Sequence, residues 1–63
     1  MTATITITID NAAFESDPST ELARILRKLS DRIEFGPQNI EMDDKILRDV
    51  NGNKVGRFFI TND

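Results

Sequence analysis

Thr4 to Ile9 reads Thr-Ile-Thr-Ile-Thr-Ile, a strict period of two in β-branched residues. On a pleated strand successive side chains point to opposite faces, so this run describes a strand with one buried side. A strand over residues 3–9 is expected, with Ile5, Ile7 and Ile9 turned to a core and Thr4, Thr6 and Thr8 to the other face. A threonine surface of this kind can be solvated, or it can meet a second copy of the sheet with its methyls and hydroxyls.

The next constraint is helical. Asp17 followed by Pro18 offers a side-chain acceptor at the N-cap and a preset φ at the first helical position. Leu22, Ile25, Leu26, Leu29 and Ile33 then recur at helical spacing until Gly36-Pro37, which predicts an amphipathic helix over 18–34. Before it, Ala12-Ala13-Phe14 is expected to lay Phe14 over one end of the core. Residues 36–45 carry no clear period and read as a mobile or partly ordered loop. Ile46 to Ile60 reads as a hairpin around Val50-Asn51-Gly52-Asn53, with Gly52 left-handed. A type I turn with a Gly bulge sets Leu47 opposite Val55; a two-residue type I′ turn sets it opposite Gly56. In either register Phe58 and Phe59 point to opposite faces, so one of them leaves the helix-covered side. The expected fold class is α+β, a β-α-β-β unit: a three-stranded, mainly antiparallel sheet with one amphipathic helix packed on one face.

The chain has 63 residues, 38% of them hydrophobic and 30% charged, which allows a single domain over 1–63 with one modest core. It contains no Cys, His, Tyr or Trp. Disulfide staples, the strong zinc, haem and iron–sulfur ligand sets, and Ser-His or Cys-His nucleophile pairs are therefore excluded within one chain. No cofactor, no metal and no catalytic residue are expected, and the protein is read as no enzyme. Met1 leads into Thr-Ala-Thr-Ile without the basic region and apolar run of a signal peptide, and no stretch approaches a membrane helix, so the expected location is the cytoplasm. A net charge of −3 works against sequence-independent binding to phosphate backbones.

Charge is nevertheless segregated. Arg24, Arg27, Lys28 and Arg32 form a basic ridge away from the apolar stripe of the helix, suited to phosphate or to an acidic protein surface. A solvated face, partly neutralised by an Arg27–Asp31 pair and complementing the helix dipole, accounts for the same residues. Glu34, Glu41, Asp43 and Asp44 form an acidic cluster able to imitate spaced phosphates, or simply to keep a small domain dispersed. Asp49, Asn51 and Asn53 alternate like calcium-loop ligands, but Lys54 and Ile60 stand where that loop needs its Gly and closing Glu, so a turn stabilised by the Asp49 side chain is expected. Ser16, Ser19 and Ser30 are explained by capping or solvation. The open sheet face and the Ile/Thr edge strand favour pairing with another chain, and Thr4, Thr6, Thr8 and Phe58 are the residues expected to carry self-association as a homodimer.

Asp10-Asn11-Ala12-Ala13-Phe14, Leu22-Ala23-Arg24-Ile25-Leu26 and Leu47-Arg48-Asp49-Val50-Asn51-Gly52-Asn53-Lys54-Val55-Gly56 together resemble a group of very small, uncharacterised bacteriophage- and prophage-encoded proteins. The chain departs from that pattern at Gly36 to Lys45, which is longer and more acidic. The resemblance implies a phage-type accessory protein in the cytoplasm of a bacterial host, and carries over no catalytic residue. The expected function is that of a small protein-binding module engaging a host or phage protein through the basic ridge or the acidic loop. Its sharper form is inhibition of a host defence system, such as CRISPR. The alternative is a nucleic-acid-binding accessory protein that uses the basic helix face.

Overall fold

In the computed structural model, residues 1–36 and 44–62 are described. Strand β1 spans Thr2–Ile7, a single 3₁₀ turn Ala12–Phe14, helix α1 Pro18–Glu34, strand β2 Asp44–Arg48 and strand β3 Lys54–Thr61. The fold is α+β, with three antiparallel strands in an open sheet of order β1-β3-β2. The last strand is thus the central one, and β1 and β2 are the edges.

Helix α1 starts and stops where its punctuation places it. Asp17 Oδ1 accepts the Thr20 N–H at 3.1 Å and Oδ2 accepts the Thr20 hydroxyl at 2.7 Å, with Pro18 at the first position. The helix buries Glu21, Ile25 and Leu29. The expected stripe is therefore rotated: Leu22 and Ile33 are half-buried, and Leu26 is 39% exposed. The cause is that Glu21 is needed on the inside, as shown below.

Pairing of β1 with β3 sets Ile5 opposite Phe58 and Ile7 opposite Gly56, and pairing of β2 with β3 sets Leu47 opposite Gly56. Directly opposed residues share a face, so Ile5, Ile7, Leu47 and Phe58 lie on the helix side. Phe14, Ile25, Leu29, Leu47, Val55 and Phe58 form the buried core, with Ile7, Ala13, Ile33 and Ile60 packed against it. The isoleucine row is only partly used. Pairing ends at Ile7, short of the expected residue 9, and Ile5 and Ile9 remain 46% and 48% exposed because the core is centred on β3 and β2.

The hairpin combines both expected registers. The Gly52 N–H donates to Asp49 O at 3.0 Å and the Asp49 N–H to Asn53 O at 2.9 Å, while Gly52 alone among the described residues has positive φ, at 85°. That is the turn of the Gly-bulge kind. Leu47 nonetheless meets Gly56, because the register shifts between Leu47 and Arg48 and leaves Val55 as an extra residue on β3. A bulge of this kind re-aims a side chain, and Val55 is buried in the core. Gly56 has a separate reason: a Cβ there would overlap the Thr6 carbonyl oxygen of β1.

Of the expected loop at 36–45, residues 37–43 lie outside the described residues, while Asp44 and Lys45 belong to β2. No helix among the described residues is long and apolar enough to cross a membrane.

Candidate interaction surfaces

Two buried carboxylates, Glu21 and Asp49, have structural roles. The Glu21 carboxylate accepts the Arg24 Nε–H at 2.7 Å and Nη2–H at 3.0 Å, and the Val50 N–H at 2.8 Å. Arg24 holds this carboxyl below its usual range; burial pushes it up, and the Val50 N–H adds to the lowering. Asp49 accepts the N–H groups of Asn51 and Asn53 on Oδ1, both at 2.9 Å, and Asn11 Nδ2 on Oδ2 at 2.6 Å. Burial pushes Asp49 up, but the Asn53 amide and side chain, Asn11 and Asn51 together outweigh it and leave the carboxyl lowered. The two carboxylates thus clasp the hairpin turn to the segment before the helix and to its first turns. Asp49, Asn51 and Asn53 form a turn held by the Asp49 side chain, as their spacing predicts. Among the described residues no group of three or more acids is placed to hold a metal ion.

The basic row is placed differently from expectation. Arg32 Nη1 donates to Ile46 O at 3.0 Å, and Arg24 Nη2 reaches Arg48 O at 3.4 Å. Two members of the ridge therefore lie against β2, on the flank of the buried stripe and not opposite it, because the helix is rotated to bring Glu21 inside. Lys28 joins Arg32, Lys45 and Arg48 around an open groove of about 500 Å³ between α1 and β2, with Asp44 and Ile46 completing the wall. Arg27 is exposed on the outer side of the helix, and no ion pair joins it to Asp31.

The acidic cluster is not gathered by the described residues. Glu34 is exposed at the end of α1, Glu41 and Asp43 lie outside the described residues, and Asp44 sits in β2, where Oδ2 is 3.0 Å from Arg57 Nη2. On the open face, register places Thr2, Thr4 and Thr6 of β1 beside Thr61, Phe59 and Arg57 of β3. Phe59 lies under the Arg57 guanidinium, 4.1 Å from ring centroid to carbon. Phe58, expected among the self-association residues, is 2% exposed and turned to the helix, so Phe59 takes its place on the open side. Thr8 lies past the end of β1, where its N–H donates to Val55 O at 2.8 Å.

Sequence reasoning missed Glu21, Asn11, Arg57 and Phe59. Glu21 reads along the chain as an ordinary first-turn acid, and only its partner Val50, far along the chain, reveals its role. The comparisons add no relative: the chain matches no protein-family model, no curated protein and no solved structure.

Proposed function

We propose that the chain is a non-enzymatic, phage-type protein-binding module that self-associates and docks through its sheet. The observation that carries this reading is the one-sided cover of the sheet: α1 shields one face, while the face holding Thr2, Thr4, Thr6, Phe59 and Thr61 has no layer over it among the described residues. The absence of His, Cys and Tyr from the sequence supports the non-enzymatic part.

Size argues that a partner must engage more than the open face. Three strands about 4.8 Å apart, of six, five and eight residues, offer a patch of roughly 300 Å², against about 800 Å² per partner in a stable complex. The β1 edge and the exposed apolar residues beside it are needed to reach that area.

The resemblance to phage and prophage proteins supports a host protein as partner and the bacterial cytoplasm as the place of action. Inhibition of a host defence system is the sharper form of this reading. The test is capture from host lysate by the immobilised chain, followed by titration with the purified partner. Capture is expected to survive high salt and to be lost in Phe59→Asp with the fold intact by circular dichroism. Capture indifferent to changes on the open face and on β1 would overturn the reading.

The groove lined by Lys28, Arg32, Lys45 and Arg48 favours a second reading, a nucleic-acid contact. It requires affinity for DNA or RNA that falls steeply with salt and is abolished by Lys28→Glu, since released counterions drive such binding.

A further inference from the structure

We infer that β1 pairs antiparallel with β1 of a second copy about a two-fold axis at Ile5, joining two sheets into one of six strands. This deepens the reading of the chain as a self-associating module by naming the edge, the register and the partner.

The two edges of the sheet are unlike. On β2, the outward carbonyls of Ile46 and Arg48 are met by Arg32 and Arg24, so a helix side chain stands where another strand would add. On β1 the geometry is reversed. The Thr8 N–H donates to β3 and the Thr6 carbonyl faces Gly56 of β3, so the even-numbered residues are turned inward. Residues alternate in direction along an antiparallel ladder. Ala3, Ile5 and Ile7 therefore direct their N–H and C=O groups to the free edge, and no described arginine caps them as on β2. The usual protections of an edge are a lysine, a proline, a bulge or a charge. Thr2–Ile7 carries none of them.

Charge and pattern together select a second copy as the occupant. Each chain carries a net charge of −3, so two copies repel wherever their charged surfaces meet, and Thr2 to Ile9 is free of charge. With Ile5 opposite Ile5 of the second copy, Thr4 faces Thr6 and Ala3 faces Ile7. Threonine then meets threonine, and apolar residues meet apolar ones on the helix side. The same register makes Ala3, Ile5 and Ile7 the hydrogen-bonded pairs. A slip of one residue sets threonine against isoleucine and breaks that match.

The flank of α1 supports the same side. Leu26 lies about 160° around the helix from Arg24. Arg24 is at β2, so Leu26 is on the β1 side of the sheet. Leu26, Ile5 and Ile9, at 39%, 46% and 48% exposure, are the apolar surface that a strand-to-strand dimer covers.

Sedimentation equilibrium of the full chain tests this, from micromolar to millimolar concentration. The wild type and Phe59→Asp are expected to reach twice the 7.1 kDa chain mass. Ile5→Lys and Ile5→Pro, which leave the inward bonds of β1 to β3 untouched, are expected to stay monomeric with an unchanged circular dichroism spectrum. Because the chain has no cysteine, Ile5→Cys is expected to give a covalent dimer on mild oxidation, and Val50→Cys is not. A dimer that persists in both Ile5 variants, or that fails in Phe59→Asp, overturns the edge but leaves self-association standing. A wild-type monomer at millimolar concentration, with no Ile5→Cys cross-link, overturns self-association itself. Partner capture by that monomer would then show that the docking reading survives.

Discussion

Phe58 and Phe59 are adjacent and chemically identical, yet their environments separate them. Phe58 is 2% exposed among Leu47, Leu29 and Ile25, whereas Phe59 is half-buried beneath Arg57. Truncating a buried phenylalanine costs about 3–5 kcal/mol, and a domain of this length has roughly 3–9 kcal/mol in total. Phe58→Ala is therefore expected to be largely unfolded in urea-free buffer by circular dichroism, while Phe59→Ala loses about 1 kcal/mol and folds. The buried carboxylates make a separate prediction. Glu21 and Asp49 have folded pKa values below their ordinary ones, Asp49 despite the burial that raises it. The unfolded chain thus binds the protons more tightly. The stability they contribute is complete above the ordinary carboxylate pKa of about 4 and is lost as pH falls through the lower folded values. Thermal unfolding followed from pH 7 to pH 2 is expected to hold level at the upper end and drop below about pH 4. Asp49→Asn is expected to lower the plateau and flatten the drop, because the amide places a donor against Asn11 or Asn53.

At the scale of elements, β3 is bonded on both edges and β1 on one. Amide hydrogen exchange in Ile5→Lys is expected to show slow exchange along β3. On β1 it is expected to show slow exchange at Thr6 and Thr8 but fast exchange at Ala3 and Ile7, whose N–H groups face outward. Equal protection along β1 in that variant would contradict the alternation. The elements themselves were legible to different degrees. Helix α1 was readable at both ends, because Asp17-Pro18 at its start and Gly36 just past its end act locally on their own backbone. The extent of β1 was less so, since Thr8 and Ile9 continue the period of two while the pairing that defines a strand stops at Ile7. The strand order was not readable, because alternation within a segment says nothing about which strand is flanked on both sides. The only local trace of that order is Gly56, whose missing Cβ admits the Thr6 carbonyl. The helix rotation escaped for the same reason: five apolar residues define a stripe, but the contact of Glu21 with Val50 decides which part of it turns inward. Of the surface residues, Thr4 and Thr6 fall on the open face as their period predicts, Thr8 lies past the end of β1, and Phe58 was misplaced because a bulge at Val55 cannot be seen before the hairpin closes.

The whole molecule is a thin layer, 36 × 23 × 17 Å in extent, with six buried apolar side chains in its core among the described residues. A core of this size supplies only a few kcal/mol by itself. A contact surface of about 800 Å² per copy, typical of stable interfaces, is close to a fifth of the 4518 Å² that the chain exposes. Association on that scale would be large relative to the stability of a single copy, and the proposed pairing would couple to folding. The consequence is thermodynamic: whatever binds only the folded state raises the unfolding midpoint by mass action, and a second copy does so with the logarithm of the concentration of the protein itself. The midpoint of thermal unfolding is expected to rise by several degrees from micromolar to millimolar protein in the wild type. It is expected to be independent of concentration in Ile5→Lys. Phe59→Asp, altered on the open face alone, is expected to follow the wild-type slope from a lower starting value, since it loses the Arg57 contact and not the strand edge. Parallel slopes for all three proteins would mean that any association runs through a surface other than β1.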